Sequence, residues 1–270
     1  MIPAADMTAK ALLEFYLDAG ADAFVGETPV DRFAAVEAAP AAKAPERAPA
    51  PALRAAAPVT ATPARAAPLA PDEAALAARA AARSASTLDE LRAILEKFDG
   101  CALKATATRT VFADGNPQAR LMFVGEAPGR DEDIEGLPFV GRSGKLLDLM
   151  LKAIGLDRTS VYITNIVPWR PPGNRDPSPH ETAICLPFIQ RQIELVDPDI
   201  LVCLGKPSMQ TLLGVQEPIS KARGRWIDFD TGKRQIRALA TFHPAFLLRS
   251  PLQKRFAWRD LIAIKKALGG

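Results

Sequence analysis

Three segments of the chain combine glycine, proline and polar side chains in a way that could support chemistry. They are Gly125–Gly144, Asn165–Pro177 and His243–Arg249. Glycines let backbone N–H groups approach a ligand closely, an amide side chain is a paired donor and acceptor, and an imidazole can exchange a proton near neutral pH. Because each segment directly follows an apolar run, we expect all three to meet at one edge of a sheet.

The first segment opens with the stretch Gly125-Glu126-Ala127-Pro128-Gly129. Its glycines could cradle a phosphate group, but the later stretch Gly141–Lys145 lacks the spacing of a Walker motif. The three carboxylates of Asp131–Asp133 could hold a divalent metal ion, although an acidic loop that opens toward solvent is the more common arrangement. Phe139 could present a flat ring to a planar ligand or anchor the loop in the core.

The second segment begins with Asn165 at the end of an apolar run. An amide in this position could be a plain turn residue, or it could pair with the edge of a nucleobase. The proline-rich tract that follows carries Arg170 and Arg175, whose guanidinium groups suit a phosphate backbone.

The third segment begins with His243, which ends an apolar run and precedes a proline. The other histidine, His180, lies in the first turn of a predicted helix, where a solvated side chain is expected. The tetrapeptide Phe246-Leu247-Leu248-Arg249 could be wedged into a base stack, or its apolar side chains could pack beneath the loop. An amide, an aromatic face, an imidazole and an apolar wedge on one rim favour an enzyme that flips a base out of DNA.

The elements that must position these segments alternate between strand and helix. The alternation predicts an α/β fold with a mostly parallel sheet between helices, a three-layer sandwich. The predicted strands are ARLMFVG, SVYITN, DILVCLG and QIRALATFHP, and the helices between and after them are KLLDLMLKAIG, SPHETAICLPFIQRQIELV, KPSMQTLLG and QKRFAWRDLIAIKKAL.

Composition divides the chain into three parts: a helical segment at 1–38, a flexible linker at 39–84 and a folded domain at 85–270. Two thirds of residues 41–70 are Ala or Pro, and such a stretch buries too little surface to offset its ordering entropy. Met7–Gly20 is predicted to form a short amphipathic helix that could dock a protein partner.

Charge and cysteine content limit the partners and the compartment. The formal net charge is +3, but residues 221–270 hold 12 Lys or Arg against 3 Asp or Glu, which favours a polyanionic partner. Three cysteines do not make a disulfide framework, so we expect a cytoplasmic protein close to the nucleoid. No run of 18 apolar residues is present, so no membrane association is expected. We also predict that the protein is a monomer.

The stretches VGEAPGRDEDIEGLPFVGRSGKLLDLML, VYITNIVPWRPPGNRDP and TFHPAFLLRSP resemble the signature segments of family 4 (type 4) uracil-DNA glycosylases. The similarity runs in order from about Asp99 to the C-terminus. It implies a central four-stranded parallel sheet, DNA containing uracil as the partner, and hydrolysis of the N-glycosidic bond to leave an abasic site. The resemblance also implies that this catalysis requires no cofactor.

The resemblance also implies roles for individual residues. The backbone of Gly125–Gly129, with Glu126 as a catalytic residue, would lie against the uracil, and Phe139 would stack on it. Asn165 would pair with its edge, His243 would hydrogen-bond its O2, and Phe246–Arg249 would fill the gap left by the flipped nucleotide. Ala127 stands where some uracil glycosylases place an Asp that orients water, so the group that positions the water is left open.

One departure from the family concerns the four cysteines that usually hold a 4Fe–4S cluster. Two of those positions fall on Cys101 and Cys185, but the others fall on Phe98 and Trp169. Two remnant ligands cannot give the usual four-ligand site, so we expect the cluster to be absent and the aromatic rings to fill its space. Cys203, in a predicted strand, is expected to be a buried thiol.

Two other functions are left open by the residues themselves. One is a non-catalytic protein that binds damaged DNA on the same fold. The other is a metal-dependent phosphohydrolase that uses Asp131–Asp133.

Overall fold

The computed structural model describes residues 71–269 of the chain. The helix predicted at Met7–Gly20 and most of the predicted linker lie outside the described residues, so these remain predictions. Within the described part, no helix is both long enough and apolar enough to span a bilayer.

A mixed sheet of six strands forms the centre of the domain. Its order is β1-β3-β2-β4-β6-β5, where the four middle strands are parallel and the two edge strands are antiparallel to their neighbours. The strands are β1 (Asp114–Gly115), β2 (Leu121–Gly125), β3 (Tyr162–Asn165), β4 (Ile200–Leu204), β5 (Ile227–Asp230) and β6 (Gln235–Thr241).

Nine α-helices lie within residues 71–269. They are α1 (Pro71–Ser84), α2 (Leu88–Lys97), α3 (Arg130–Glu135), α4 (Arg142–Ala153), α5 (Pro179–Val196), α6 (Lys206–Leu213), α7 (Ile219–Ala222), α8 (Pro244–Arg249) and α9 (Lys254–Ala267). Short 3-10 turns occur at Ala102–Ala105, Pro172–Asn174 and Pro251–Gln253.

The mostly parallel sheet predicted from the sequence is confirmed, but the strand number is six rather than four. The two edge strands escaped prediction for different reasons. β1 has only two residues, and β5 alternates partly buried with exposed positions, as an edge strand open to water on one side does. The four strands that were predicted are the buried ones.

Both faces of the sheet are covered by apolar side chains. Along β2, Met122 and Val124 join a core beneath α1, α2 and α5, whereas Leu121 and Phe123 join a second core beneath α4 and α9. This follows from the alternation of side chains along a strand. The arrangement is the three-layer sandwich that the strand–helix alternation predicts.

Helix α1 corrects the predicted end of the linker. Residues 71–84 were assigned to the linker by composition, but they form a helix that buries Ala74, Ala78 and Ala82 against the rest of the domain. After Pro71 this alanine-rich run contains no further proline, so the best helix-forming residue can propagate a helix with one buried face. The folded domain therefore begins before the predicted residue 85.

The parallel middle strands all point the same way, which places their carboxyl ends together. Gly125 is paired with Asn165 in the ladder between β2 and β3, and Leu204 with Thr241 in the ladder between β4 and β6. The three segments predicted to carry the chemistry leave the sheet at these carboxyl ends. The C-terminal helix α9 runs back to the amino ends of the strands, where the Leu268 carbonyl accepts a hydrogen bond from Arg120 Nη1 at 3.1 Å.

Candidate active site

A cavity of about 380 Å³ lies at the carboxyl ends of the parallel strands. Residues from all three predicted segments line it, including Glu126, Phe139, Asn165, His243 and Arg249. The side chains of Asn165 and His243, which come from different strands, therefore face one cavity. If the three segments bind one ligand, their side chains must face the same cavity, and the structure meets this condition.

Gly125 lies at the point where two walls of the cavity meet. A Cβ at this position would stand 2.3 Å from Asn165 Oδ1 and 2.7 Å from Phe139 Cζ. Both side chains therefore close over the backbone of Gly125, and only a glycine leaves them room. Asn165 is 5% exposed, and its amide forms no hydrogen bond with any other residue in 71–269, so the amide is available to a ligand.

The backbone of Phe139 is held in an unusual conformation. Its φ of 55° lies in the left-handed region, which a bulky residue seldom adopts. The Arg158 guanidinium donates to the carbonyl oxygens of Phe139 and Pro138, and a Cβ on Gly144 would collide with the Phe139 carbonyl. These contacts fix the buried ring at the cavity wall, so Phe139 both anchors the loop and faces the ligand space.

The protonation of His243 is set by its surroundings. Nδ1 accepts a hydrogen bond from the backbone N–H of Ala245 at 3.1 Å, which caps helix α8. Burial, with a smaller contribution from the charge of Arg249, lowers the pKa of His243 from 6.5 to about 4. The imidazole is therefore neutral at pH 7, and because Nδ1 is an acceptor, the proton is on Nε2. His243 can donate a hydrogen bond without carrying a charge.

Glu126 is a carboxylate without a hydrogen-bonding partner among the described residues. Burial, and to a lesser degree the negative charge of Asp176, raises the pKa of Glu126 from 4.5 to about 7. A half-ionised carboxyl group at neutral pH in a cavity can serve as a base or as a fixed negative charge.

Two of the three carboxylates after Gly129, those of Glu132 and Asp133, are buried and bonded to backbone N–H groups, whereas Asp131 is exposed. Glu132 is 7% exposed, and its carboxylate accepts from the backbone N–H groups of Gly129, Val140 and Gly141 at 3.0–3.1 Å. Asp133 is also buried and accepts from the backbone of Thr108. Among residues 71–269, no group of three or more His, Cys, Asp or Glu side chains is placed to hold a metal ion.

Glu132 makes positioning contacts that the sequence interpretation missed. It ties the start of helix α3 to the start of helix α4, and so it fixes the loop that carries Phe139. The available signal was the spacing of Gly129 and Glu132, because a Glu three residues after an N-cap position bonds back to the cap backbone.

The two arginines of the second segment that were predicted to contact DNA lie at the cavity mouth or near it. Arg175 lines the cavity and forms a two-pronged ion pair with Glu181 at 2.7 and 2.8 Å. Arg170 donates to Asn174 Oδ1 at 2.7 Å in the adjoining turn. His180 is exposed, as its position in the first turn of α5 predicts.

The predicted apolar wedge is only partly available to a ligand. The segment is helical, and Leu247 is 1% exposed because it packs into the core, which corrects its assignment to a DNA-contacting surface. Phe246 is partly buried, with its ring 5.0 Å from that of Phe242. Leu248 and Arg249 are exposed, and Arg249 also lines the cavity, so these two residues are the accessible part of the segment.

The positions at which the resemblance implies a metal cluster are occupied by a packed interior. The thiols of Cys101 and Cys185 contact each other. Trp169 is 1% exposed and donates through Nε1 to Thr110 Oγ1 at 3.1 Å, while the Phe98 ring lies 5.1 Å from that of Phe188. Cys203 is buried in a separate cluster. Two thiols and two aromatic rings do not fit a four-cysteine cluster.

Comparison with known proteins agrees with this geometry. A family model described as the uracil DNA glycosylase superfamily matches residues 112–262. The chain is 41% identical over 169 residues to the type-4 uracil-DNA glycosylase of Archaeoglobus fulgidus, which covers 61% of this chain and 85% of that protein. It is 43% identical over 169 residues to the type-4 uracil-DNA glycosylase of Thermotoga maritima, covering 61% and 86%. The chain therefore belongs to the uracil DNA glycosylase superfamily.

Proposed function

We propose that this protein removes uracil from DNA by hydrolysing the N-glycosidic bond, leaving an abasic site. The observation that carries the proposal is the single cavity lined by Phe139, Asn165 and His243. An aromatic face, a free amide and a neutral donor in one small cavity suit a planar base that has been flipped out of a duplex.

Recognition of uracil is assigned to Asn165. Its free amide can donate to O4 of uracil and accept from N3–H, whereas cytosine presents a donor and an acceptor in the opposite order. A cytosine in the same cavity would leave polar groups unpaired, at about 1–3 kcal/mol for each buried group. Phe139 would stack on the base, and this contact does not discriminate between pyrimidines.

Stabilisation of the leaving group is assigned to His243 and to the backbone near Ala127. Cleavage leaves cationic character on the sugar and negative charge on the departing base. The neutral imidazole with its proton on Nε2 is a preorganised donor for the charge that develops at O2. Donors of this kind typically contribute about 2.7–4 kcal/mol to a transition state.

We assign to Glu126 the activation of the attacking water and the stabilisation of the sugar cation. Its carboxylate lies in the cavity and has no partner among residues 71–269, whereas Glu132 is fully engaged with backbone N–H groups. In the ionised form it can accept a proton from the attacking water and offset the positive charge of the sugar. Glu126 would then take the place of the water-orienting Asp that some uracil glycosylases carry at the position of Ala127.

Contacts with DNA are assigned to the rim of the cavity. Leu248 and Arg249 are exposed and can occupy the gap left by the flipped nucleotide. Arg170 and Arg175 can approach phosphates next to it. We propose in addition that the enzyme acts as a monomer in the cytoplasm, as a folded domain behind a linker and an N-terminal segment that could dock a partner.

We further propose that Phe98 and Trp169 replace the iron–sulfur cluster of related enzymes. The packed rings and the contact between the two remaining thiols support this. The test is the visible spectrum and iron content of purified protein. A broad absorption band at about 400 nm with several bound irons per chain would contradict the proposal.

The test of the main proposal is release of uracil from a uracil-containing oligonucleotide in the presence of EDTA, followed by alkali. Strand breakage after alkali is expected, because alkali cleaves abasic sites. A non-catalytic damage-binding protein would retain the oligonucleotide without breakage, and a metal-dependent phosphohydrolase would be inhibited by EDTA. Asn165→Ala and His243→Ala should each abolish most of the release, and wild-type rates in either variant would refute its assigned role.

A further inference from the structure

A basic face at the start of the C-terminal helix plays no part in the cavity. Lys254, Arg255 and Arg259 lie in the first two turns of α9, and all three are exposed. The helix follows α8 after the short turn Pro251–Gln253. The basic face therefore begins close to where the cavity rim ends at Arg249.

The charges of this face are not explained by the stability of the fold. Positive side chains are unfavourable near the N-terminus of a helix, and the first turn of α9 contains no acidic residue. Within the described part of the chain, Lys254, Arg255 and Arg259 make no ion pair. The guanidinium groups of Arg255 and Arg259 lie 4.7 and 5.7 Å from the centroid of the Phe256 ring, which orients them without neutralising their charge.

We propose that this face binds the phosphate backbone of duplex DNA beside the flipped nucleotide. The inference rests on the proposed function and extends the DNA-contacting surface of the protein beyond the cavity. Lys254 to Arg259 spans about 7.5 Å along the helix axis, close to the rise of two base pairs. Such contacts hold a duplex in position without reading its sequence, as an enzyme that selects a single base requires.

The opposite end of α9 offers a matched control. Lys265 and Lys266 lie in its last turn, where the helix dipole favours positive charge. The Leu268 carbonyl accepts a hydrogen bond from Arg120, so this end of α9 lies beside the start of β2, at the amino ends of the strands and away from the cavity. Replacing Lys265 and Lys266 therefore removes the same net charge as replacing Arg255 and Arg259, but at the opposite end of the helix.

The experiment compares Arg255→Gln/Arg259→Gln with Lys265→Gln/Lys266→Gln and the wild-type protein. Affinity for a uracil-free duplex is measured by fluorescence anisotropy over a range of salt concentrations. The arginine variant should bind about tenfold or more weakly at about 0.1 M salt, and its slope of log affinity against log salt should be shallower by about two. The lysine variant should match the wild type.

Two further measurements complete the test. The arginine variant should release uracil from a saturating short single strand at the wild-type rate, because that strand does not reach α9. Its thermal midpoint should not fall, since the lost charges oppose the helix dipole. An unchanged salt slope in the arginine variant, or an equal loss in the lysine variant, would overturn the inference. Failure of the wild type to release uracil would instead contradict the proposed function, because the binding result does not depend on turnover.

Discussion

The rings of Phe139 and His243 lie 5.5 Å apart between centroids, with their planes inclined by 32°. One residue comes from the loop after β2 and the other from the end of β6, two strands that do not pair directly. Both rings line the same cavity as Asn165. A planar base held against Phe139 would thereby meet a donor at one edge and an amide at another.

The state of His243 can be tested directly. We expect ¹⁵N chemical shifts of the imidazole to report a neutral ring protonated at Nε2 at pH 6–8, with titration only near pH 4. His243→Ala should slow single-turnover uracil release by roughly 100- to 1000-fold, the effect of losing one oxyanion-hole donor. A ring that titrates near pH 6.5 would contradict the assigned state.

The raised pKa of Glu126 predicts the pH dependence of catalysis. If the ionised carboxylate acts in the reaction, single-turnover rates should fall about tenfold for each pH unit below about 7. Glu126→Gln should be slower at every pH and should lack this acid limb. The same acid limb in the variant would exclude Glu126 as its source.

Glu126 also predicts a pH dependence of folding stability. Because its pKa is raised in the folded state, its favourable contribution is fully present below pH 4.5 and is lost as the pH rises through about 7. Urea unfolding at pH 5 and pH 8 should show Glu126→Gln gaining stability relative to the wild type at the higher pH, by roughly 1–3 kcal/mol after allowance for partial exposure. A constant difference between the two proteins would contradict this.

Gly125→Ala should disable the site through crowding alone. The added methyl group would meet Asn165 Oδ1 at 2.3 Å and the Phe139 ring at 2.7 Å, so both side chains must move. We expect uracil release to fall by about 100-fold, as displacements near 1 Å commonly cause. Gly155→Ala is the control, because its methyl group meets no atom within 4 Å while its φ of 83° still strains the backbone. That variant should lose stability but keep its activity per folded molecule.

Arg158 should influence the reaction without touching the cavity. Its guanidinium holds the Phe139 carbonyl and also pairs with Asp114 and Asp148. Arg158→Met should release the strained loop and lower kcat/KM for uracil excision by about tenfold or more, since base stacking contributes about 1–3 kcal/mol. Arg92→Met, which breaks an exposed pair with Glu96, should have no effect. A wild-type kcat/KM in folded Arg158→Met would show that Arg158 does not position Phe139 for the reaction.

The residues that converge on the cavity were predictable because they follow strands of one parallel sheet. Asn165 and His243 each end an apolar run, and parallel strands bring such ends together. Glu132 and Arg158 were not predictable in the same way, since their roles depend on backbone groups that only the tertiary structure brings near them. Composition alone likewise misplaced α1, because a stretch rich in alanine becomes helical or stays extended according to where its prolines fall.

The burial of Leu247 illustrates a local signal that was available but not used. His243 caps a helix and Pro244 occupies its first position, a combination typical of a helix start. A helix turns its side chains to different directions, so four consecutive residues cannot all face a ligand. The predicted wedge therefore had to be reduced to the residues on one side.

The interior around Trp169 has a consequence for how the protein is produced. A domain closed by its own side chains at this position would mature without cluster-assembly factors and would not depend on cellular iron supply. Under the proposed replacement, oxygen and superoxide have no inorganic centre to attack. Excision of uracil would then not depend on an intact cluster during oxidative stress.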